Sequence, residues 1–158
     1  RRLDESRELG TPLCLLFVQI DELEYLNERY GEENCDAMRR AITLALKAIM
    51  REIDHAARFQ EQALCLLLPG ANLAGAVTVA EQLRVAAARC ELSTRHEQRH
   101  FTVSIGVAEA LEEENETELI ERVRDSLKVA RMHGQDCTYV HDGQEFLLVG
   151  VGNVSVTS

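Results

Sequence analysis

The residues best suited to chemistry are an arginine and an aspartate, Arg51 and Asp54, which lie three positions apart where a long helical pattern ends. A planar guanidinium can clamp a phosphate or the Hoogsteen edge of guanine, and a carboxylate can accept hydrogen bonds from guanine N1 and N2. At a helix end, both side chains are expected to point into solvent and to bind such a ligand. The alternative is a surface salt bridge between residues i and i+3, which contributes only about 0.3 kcal/mol.

A polar tip follows this pair directly. Gln60, Glu61 and Gln62 separate two short strand-like pieces, residues 57–59 and 63–68, and together they predict a hairpin. Binding and catalytic sites often lie on such a tip in the middle of a domain. This tip is largely without the acidic and glycine residues that phosphate or metal chemistry would use, so its function is either absent or altered.

Composition limits the class of protein. The 158 residues are 46% hydrophobic and 28% charged, which suits one globular domain. A net charge of −10 argues against a nucleic-acid binder, because such a protein needs a basic face.

Five scattered cysteines without a CxxC pair predict neither a disulfide frame nor a metal site, and no cofactor is expected. Free thiols, with no membrane-length apolar run or signal peptide, predict a cytoplasmic location, either alone or as part of a larger or membrane-attached protein.

The elements that must position these residues follow from periodicity. A continuous apolar run over 13–20 predicts a strand buried on both faces, and three-four spacing over 32–53 predicts an amphipathic helix. Strict alternation over 101–108 predicts another strand. The whole order is strand, helix, helix, strand, strand, helix, strand, helix, strand, strand, which predicts an α+β fold with a central mixed sheet of five or six strands flanked by helices.

Three boundaries are expected along the chain. Residues 1–11 are polar and are expected to end a linker or helix from an upstream segment. The domain itself is expected to cover residues 12–150. Residues 151–158 are expected to form a tail or to begin a further segment.

Four stretches in this order resemble the GGDEF family of diguanylate cyclase domains. Residues 19–31 (QIDELEYLNERYG), followed by Asp36, are similar to the family's DxDxFKxxNDxxGHxxGD. Residues 58–64 (RFQEQAL) stand where the family has RYGGDEF, and residues 101–108 (FTVSIGVA) are close to its VTVSIGVA strand. Residues 127–136 match its LYxAKxxGRN more loosely. The resemblance covers nearly the whole chain and implies the nucleotidyl cyclase fold, a ferredoxin-like palm.

The resemblance also identifies what is missing. Family members join two GTP molecules with two carboxylate-bound metal ions, and the positions of those acids hold Gln19, Gln62 and Ala63. The signature glycines are replaced by Gln60 and Glu61. An amide is a poor substitute for a carboxylate around magnesium, and alanine offers no ligand. We therefore expect a degenerate domain with no catalytic residues and no cyclase activity.

Recognition residues are retained in part. Asn27 and Asp36 match the family's guanine-binding pair and Arg131 its phosphate-binding lysine, so the three are expected to form a remnant nucleotide pocket. Helix capping would select the same Asn and Asp without any ligand. The resemblance makes Arg51 and Asp54 the RxxD inhibitory site for cyclic di-GMP, with Arg58 assisting.

The sequence thus favours a catalytically inactive regulatory module that binds cyclic di-GMP and signals to another domain of its polypeptide or to a partner protein. One alternative is a protein-interaction or homodimerisation module that binds no nucleotide. The other is a domain that binds GTP as an allosteric signal.

Overall fold

A computed structural model describes residues 2–58, 63–93, 98–150 and 153–156. Its helices, in chain order, are α1 Arg2–Leu9, α2 Leu23–Tyr30, α3 Glu32–Ile49, α4 Leu73–Arg89 and α5 Glu116–Met132. Its strands are β1 Leu13–Ile20, β2 His55–Arg58, β3 Leu64–Pro69, β4 Leu92–Ser93, β5 Gln98–Arg99, β6 Val103–Glu109, β7 Thr138–His141, β8 Phe146–Gly150 and β9 Asn153–Val156.

The central sheet has seven strands in the order β2-β3-β1-β6-β7-β8-β9. Only the β6–β7 pair is parallel, and the other five pairs are antiparallel. The prediction of an α+β fold with a mixed sheet flanked by helices is therefore confirmed. The sheet is larger than the five or six strands expected because β9 lies within residues 151–158, where a tail or the start of a further segment was predicted. β4 and β5 pair separately as a two-stranded ribbon.

Alternate side chains of β1 face two hydrophobic clusters. Leu16 and Val18 pack in the cluster formed with α3 and α4, whereas Leu15 and Phe17 pack in the cluster formed with α5. Because a strand directs successive side chains to opposite faces, this run is apolar throughout. The resulting three layers bury β1 as predicted. No helix in the described ranges is long and apolar enough to cross a membrane.

The long helix α3 ends at Ile49, earlier than the predicted limit of residue 53. Met50 has extended backbone angles (φ −72°, ψ 143°), so the helix stops there. Arg51 begins a turn in which its carbonyl accepts a hydrogen bond from the Asp54 N–H at 3.0 Å. The Arg-Asp pair therefore lies in the turn between α3 and β2.

A buried ion pair closes the turn between β6 and α5. Arg122 donates from Nε to Glu114 Oε2 at 2.6 Å and from Nη2 to Oε1 at 2.8 Å. The same guanidinium donates to the carbonyls of Glu109 and His141, at 2.6 and 2.8 Å. Both side chains are almost inaccessible, at 12% and 6%. Arg7 of α1 also donates to the Glu114 carbonyl, so this cluster joins α1, α5 and two strands.

Glu114→Gln is expected to lower the free energy of unfolding by about 2 kcal/mol at pH 7, because it leaves Arg122 without its buried counter-charge. Burial alone raises the Glu114 pKa, but hydrogen bonds from Arg122 and the Leu111 N–H bring the net value below 4.5. A carboxylate with a lowered folded pKa adds stability that is complete above its unfolded pKa and disappears as pH falls through the folded value.

The difference between wild type and Glu114→Gln should therefore shrink below pH 4.5. Urea denaturation of both proteins across this acid range measures the stability difference. The exposed neighbour Glu112 gives the matched control, since Glu112→Gln should leave stability unchanged at every pH. A difference that stays constant down to full acid would contradict the role given to the Glu114 charge.

Candidate functional site

Arg51 and Asp54 form a closed, bidentate pair. Arg51 donates from Nη2 to Asp54 Oδ1 at 2.7 Å and from Nε to Oδ2 at 3.1 Å. The backbone N–H of Arg51 also donates to Asp54 Oδ2 at 2.8 Å. Nη2 reaches across to the carbonyl of Pro69 at 2.8 Å, so the guanidinium is fixed against the end of β3. The hydrogen bond to Asp54 raises the Arg51 pKa and keeps the side chain charged.

The two side chains differ sharply in exposure, which corrects the expectation that both point into solvent. Arg51 is 49% exposed and Asp54 only 2%. The Asp54 carboxylate already accepts from the Arg51 side chain and backbone, so it is not presented to a guanine edge. Its role in this geometry is to orient Arg51, and the guanidinium is the group left at the surface.

Arg58, which was predicted to assist this pair, lies at the far end of β2 from it. In the antiparallel β2–β3 register His55 is opposite Leu67 and Arg58 is opposite Leu64. The three residue steps from His55 to Arg58 cover about 10 Å along the strand. Asp54 precedes His55, so Arg58 is at the other end of β2 and cannot share a small contact surface with Arg51.

The turn that aligns with the family's signature is only partly described. Gln60, Glu61 and Gln62 lie outside the described residues. Ala63 is 4% exposed and packs in the cluster that includes Leu15, where its methyl group is part of the core. Gln19 is half-buried in β1. Within the described ranges, no group of three or more His, Cys, Asp or Glu side chains is arranged to hold a metal ion.

Asp21, one of the acids retained in the first motif, is a structural residue. It precedes α2, which begins at Leu23, and it is 5% exposed. Its Oδ1 accepts from Ser104 Oγ at 2.5 Å, and its Oδ2 accepts from Thr102 Oγ1 at 2.6 Å and from the Asp136 N–H at 2.9 Å. These contacts join the end of β1 to the start of β6 and to the turn after α5.

Within the described residues, no contact joins Asn27, Asp36 and Arg131, the three residues of the predicted nucleotide pocket. Asn27 is exposed on α2, and Arg131 is exposed in the last turn of α5. The Asp36 carboxylate accepts from Arg39 Nη1 at 2.8 Å, one turn along α3. Arg39 is a functional candidate that the sequence reasoning missed. The signal available was its i+3 spacing from Asp36, which places both on one helix face.

Comparisons with known proteins agree with this geometry. The chain matches the model for "Diguanylate cyclase, GGDEF domain" over residues 1–137, which includes α1. It is 34% identical over 122 residues to diguanylate cyclase DgcM of Escherichia coli, a match that covers 77% of this chain and 29% of DgcM. The chain thus spans less than a third of the length of that relative.

Solved structures show the same fold. The GGDEF domain of DgcB from Caulobacter crescentus, in complex with c-di-GMP, superposes with a TM-score of 0.83 at 24% identity, covering 89% of this chain and 84% of the other. Diguanylate cyclase SiaD from Pseudomonas aeruginosa, in complex with its activator SiaC, gives 0.81 at 25% identity, covering 87% and 53%. With a family match over most of its length and this palm-like sheet, the chain belongs to the GGDEF family.

Proposed function

We propose that this chain is a regulatory GGDEF domain of cyclic di-GMP signalling that does not carry out the cyclase reaction. Gln19 and Ala63 stand where the family's metal acids stand, and the methyl group of Ala63 is buried in the core. The residues present therefore do not fit a two-metal site, since a neutral amide and a methyl group replace carboxylates.

The size of the catalytic deficit supports this proposal. Each lost electrostatic contact to a transferring phosphoryl group costs about 3 kcal/mol, and about 1.4 kcal/mol is a factor of ten in rate. Even with strong non-additivity, losses at Gln19, Gln62 and Ala63 leave a rate below detection. Purified protein incubated with GTP and magnesium is expected to form no cyclic di-GMP, and product above a blank would contradict the proposal.

We propose further that the domain binds cyclic di-GMP through Arg51, and the observation that carries this is the guanidinium held at the surface. Asp54 and the Pro69 carbonyl fix its orientation, so little side-chain freedom remains to be lost on binding. A fixed, half-exposed guanidinium suits a phosphate or a guanine Hoogsteen edge. Asp54 acts as the positioning residue, which refines the role expected from the sequence.

Arg51→Ala is expected to weaken cyclic di-GMP binding about 10- to 100-fold, because it removes a charge-assisted contact. Isothermal titration calorimetry measures the change. Arg40→Ala is the matched control, because Arg40 is an exposed arginine on α3, the helix that precedes Arg51, and the substitution removes the same charge. Asp54→Asn should weaken binding less than Arg51→Ala, because Arg51 stays present but is less firmly oriented. If the wild-type protein does not bind cyclic di-GMP at tens of micromolar, the proposal that cyclic di-GMP is its ligand is refuted.

A protein-interaction role is the second candidate, and one observation favours it. An open groove of about 1230 Å³ runs between α3 and α4 and is lined largely by apolar side chains, including Ala45, Ile49, Val77 and Val85. A surface of this kind suits a partner helix. Allosteric GTP binding is less supported, because the Asp36 carboxylate is engaged by Arg39.

A further inference from the structure

A cavity of about 270 Å³ lies beside the turn that aligns with the family's signature, between β1, α3 and the β2–β3 hairpin. Its floor and walls are mainly aliphatic, and two guanidinium groups and one hydroxyl are its polar members. The described residues that line it are Val18, Ile20, Leu23, Arg39, Ile42, Thr43, Arg58, Ala63 and Leu64.

The charge of this cavity is positive. Among its described lining residues there is no carboxylate, and Arg58 makes no ion pair with any residue in the described ranges. The charge of Arg39 is shared with Asp36 at 2.8 Å and Glu32 at 3.7 Å. Among the described residues of this lining, Arg58 is thus the guanidinium without an ion pair. The described lining of this cavity therefore has the electrostatics of an anion receptor.

Size limits the anion that fits. A water molecule takes about 30 Å³ of liquid volume, so the cavity corresponds to about nine waters or about ten non-hydrogen atoms. A complete nucleotide would extend beyond it. Pockets of this kind, apolar with a few placed polar groups, hold ligands that have an apolar body and one charged end.

We propose that this cavity binds a small aromatic or aliphatic oxyanion, with the carboxylate or phosphate on Arg58 and the apolar body against Val18, Ile20 and Leu64. Arg39 completes the positive wall while it remains tied to Asp36. The site is independent of the cyclic di-GMP proposal, because Arg51 lies at the opposite end of β2. A small metabolite, rather than a nucleotide, would then bind against the β2–β3 hairpin, which carries the signature motif in the family.

NMR titration of the ¹⁵N-labelled protein with phenyl phosphate and with benzoate tests the proposal. We expect saturable shifts of the Ala63, Leu64 and Thr43 amides with a Kd of about 1 mM or tighter, the range for ligands of about ten atoms. Binding of both probes assigns a general oxyanion site, and binding of one alone assigns a phosphate or a carboxylate site. Benzyl alcohol, which lacks the charge, should bind at least tenfold more weakly.

Arg58→Ala should weaken probe binding about 10- to 100-fold, and Arg58→Lys should recover part of the loss. Arg40→Ala is the matched control and should leave the probe Kd unchanged. The amide spectra show whether each variant is folded. Three results would overturn the proposal: no saturable shift up to about 10 mM, benzyl alcohol binding as tightly as benzoate, or inorganic phosphate binding as tightly as phenyl phosphate.

Discussion

Gly106→Ala is expected to be the most destabilising of the substitutions considered, lowering the free energy of unfolding by about 4 kcal/mol. A Cβ at this position would lie 2.4 Å from the Leu127 backbone nitrogen and 2.5 Å from the Val123 carbonyl oxygen. Both atoms belong to the backbone of α5, which cannot give way as a flexible side chain can. Gly106 therefore permits the close approach of α5 to the centre of β6.

Urea denaturation measures this loss. Gly75→Ala, in the first turn of α4, is the matched control, because its Cβ would meet only side-chain atoms, Asn72 Oδ1 at 3.4 Å and Ala71 Cβ at 3.8 Å. That substitution should change stability by less than about 1 kcal/mol. Equal effects of the two substitutions would show that α5 does not rest on β6 as described.

Asp21→Ala is expected to cost about 3 kcal/mol, the second of the two largest effects. The carboxylate accepts from Ser104, Thr102 and the Asp136 N–H, and removing it leaves two hydroxyls and an amide without their partner. Each unsatisfied buried donor costs about 1 kcal/mol or more. The turn after α5 also loses its anchor, and there Gln135 and Asp136 have positive φ angles of 59° and 46°.

Hydrogen exchange separates this role from a general loss of stability. Asp21→Ala should speed exchange at Asp136 and its neighbours more than in the core of β1. Glu24→Ala, an exposed acid three residues on, should affect neither exchange nor stability. Asp21→Asn should cost less than Asp21→Ala, because one acceptor oxygen remains. An Asp21→Ala variant as stable as wild type would refute the structural role.

A structural Asp21 changes how the family motif is understood in this chain. Its preservation beside Gln19 could suggest that half of a metal site survives. The structure instead gives each of its oxygens a protein partner, so its retention follows from the fold. The proposal that the domain lacks the metal acids is therefore compatible with an aspartate at position 21, because the fold itself uses that carboxylate.

Much of the fold was predictable because its signals are local. The apolar run of β1 and the alternation of β6 are set by the two-residue period of strands, and the spacing in α3 by the helical period. The strand β9 was missed because four residues of mixed polarity, Asn153–Val156, carry no clear period. Its pairing with β8 is a tertiary contact.

The sequence alone determined which chemical groups the chain has. It showed Gln19, Gln62 and Ala63 where the resemblance places the family's metal acids, and an arginine and an aspartate after α3, because residue identity and order require no coordinates. The tertiary structure decided which of these groups are exposed and unpaired enough to contact a ligand. Asp54 is buried under Arg51, Arg58 is separated from both by the length of β2, and Arg39 engages Asp36. Burial and pairing depend on which surfaces pack together, and residues distant in sequence decide that.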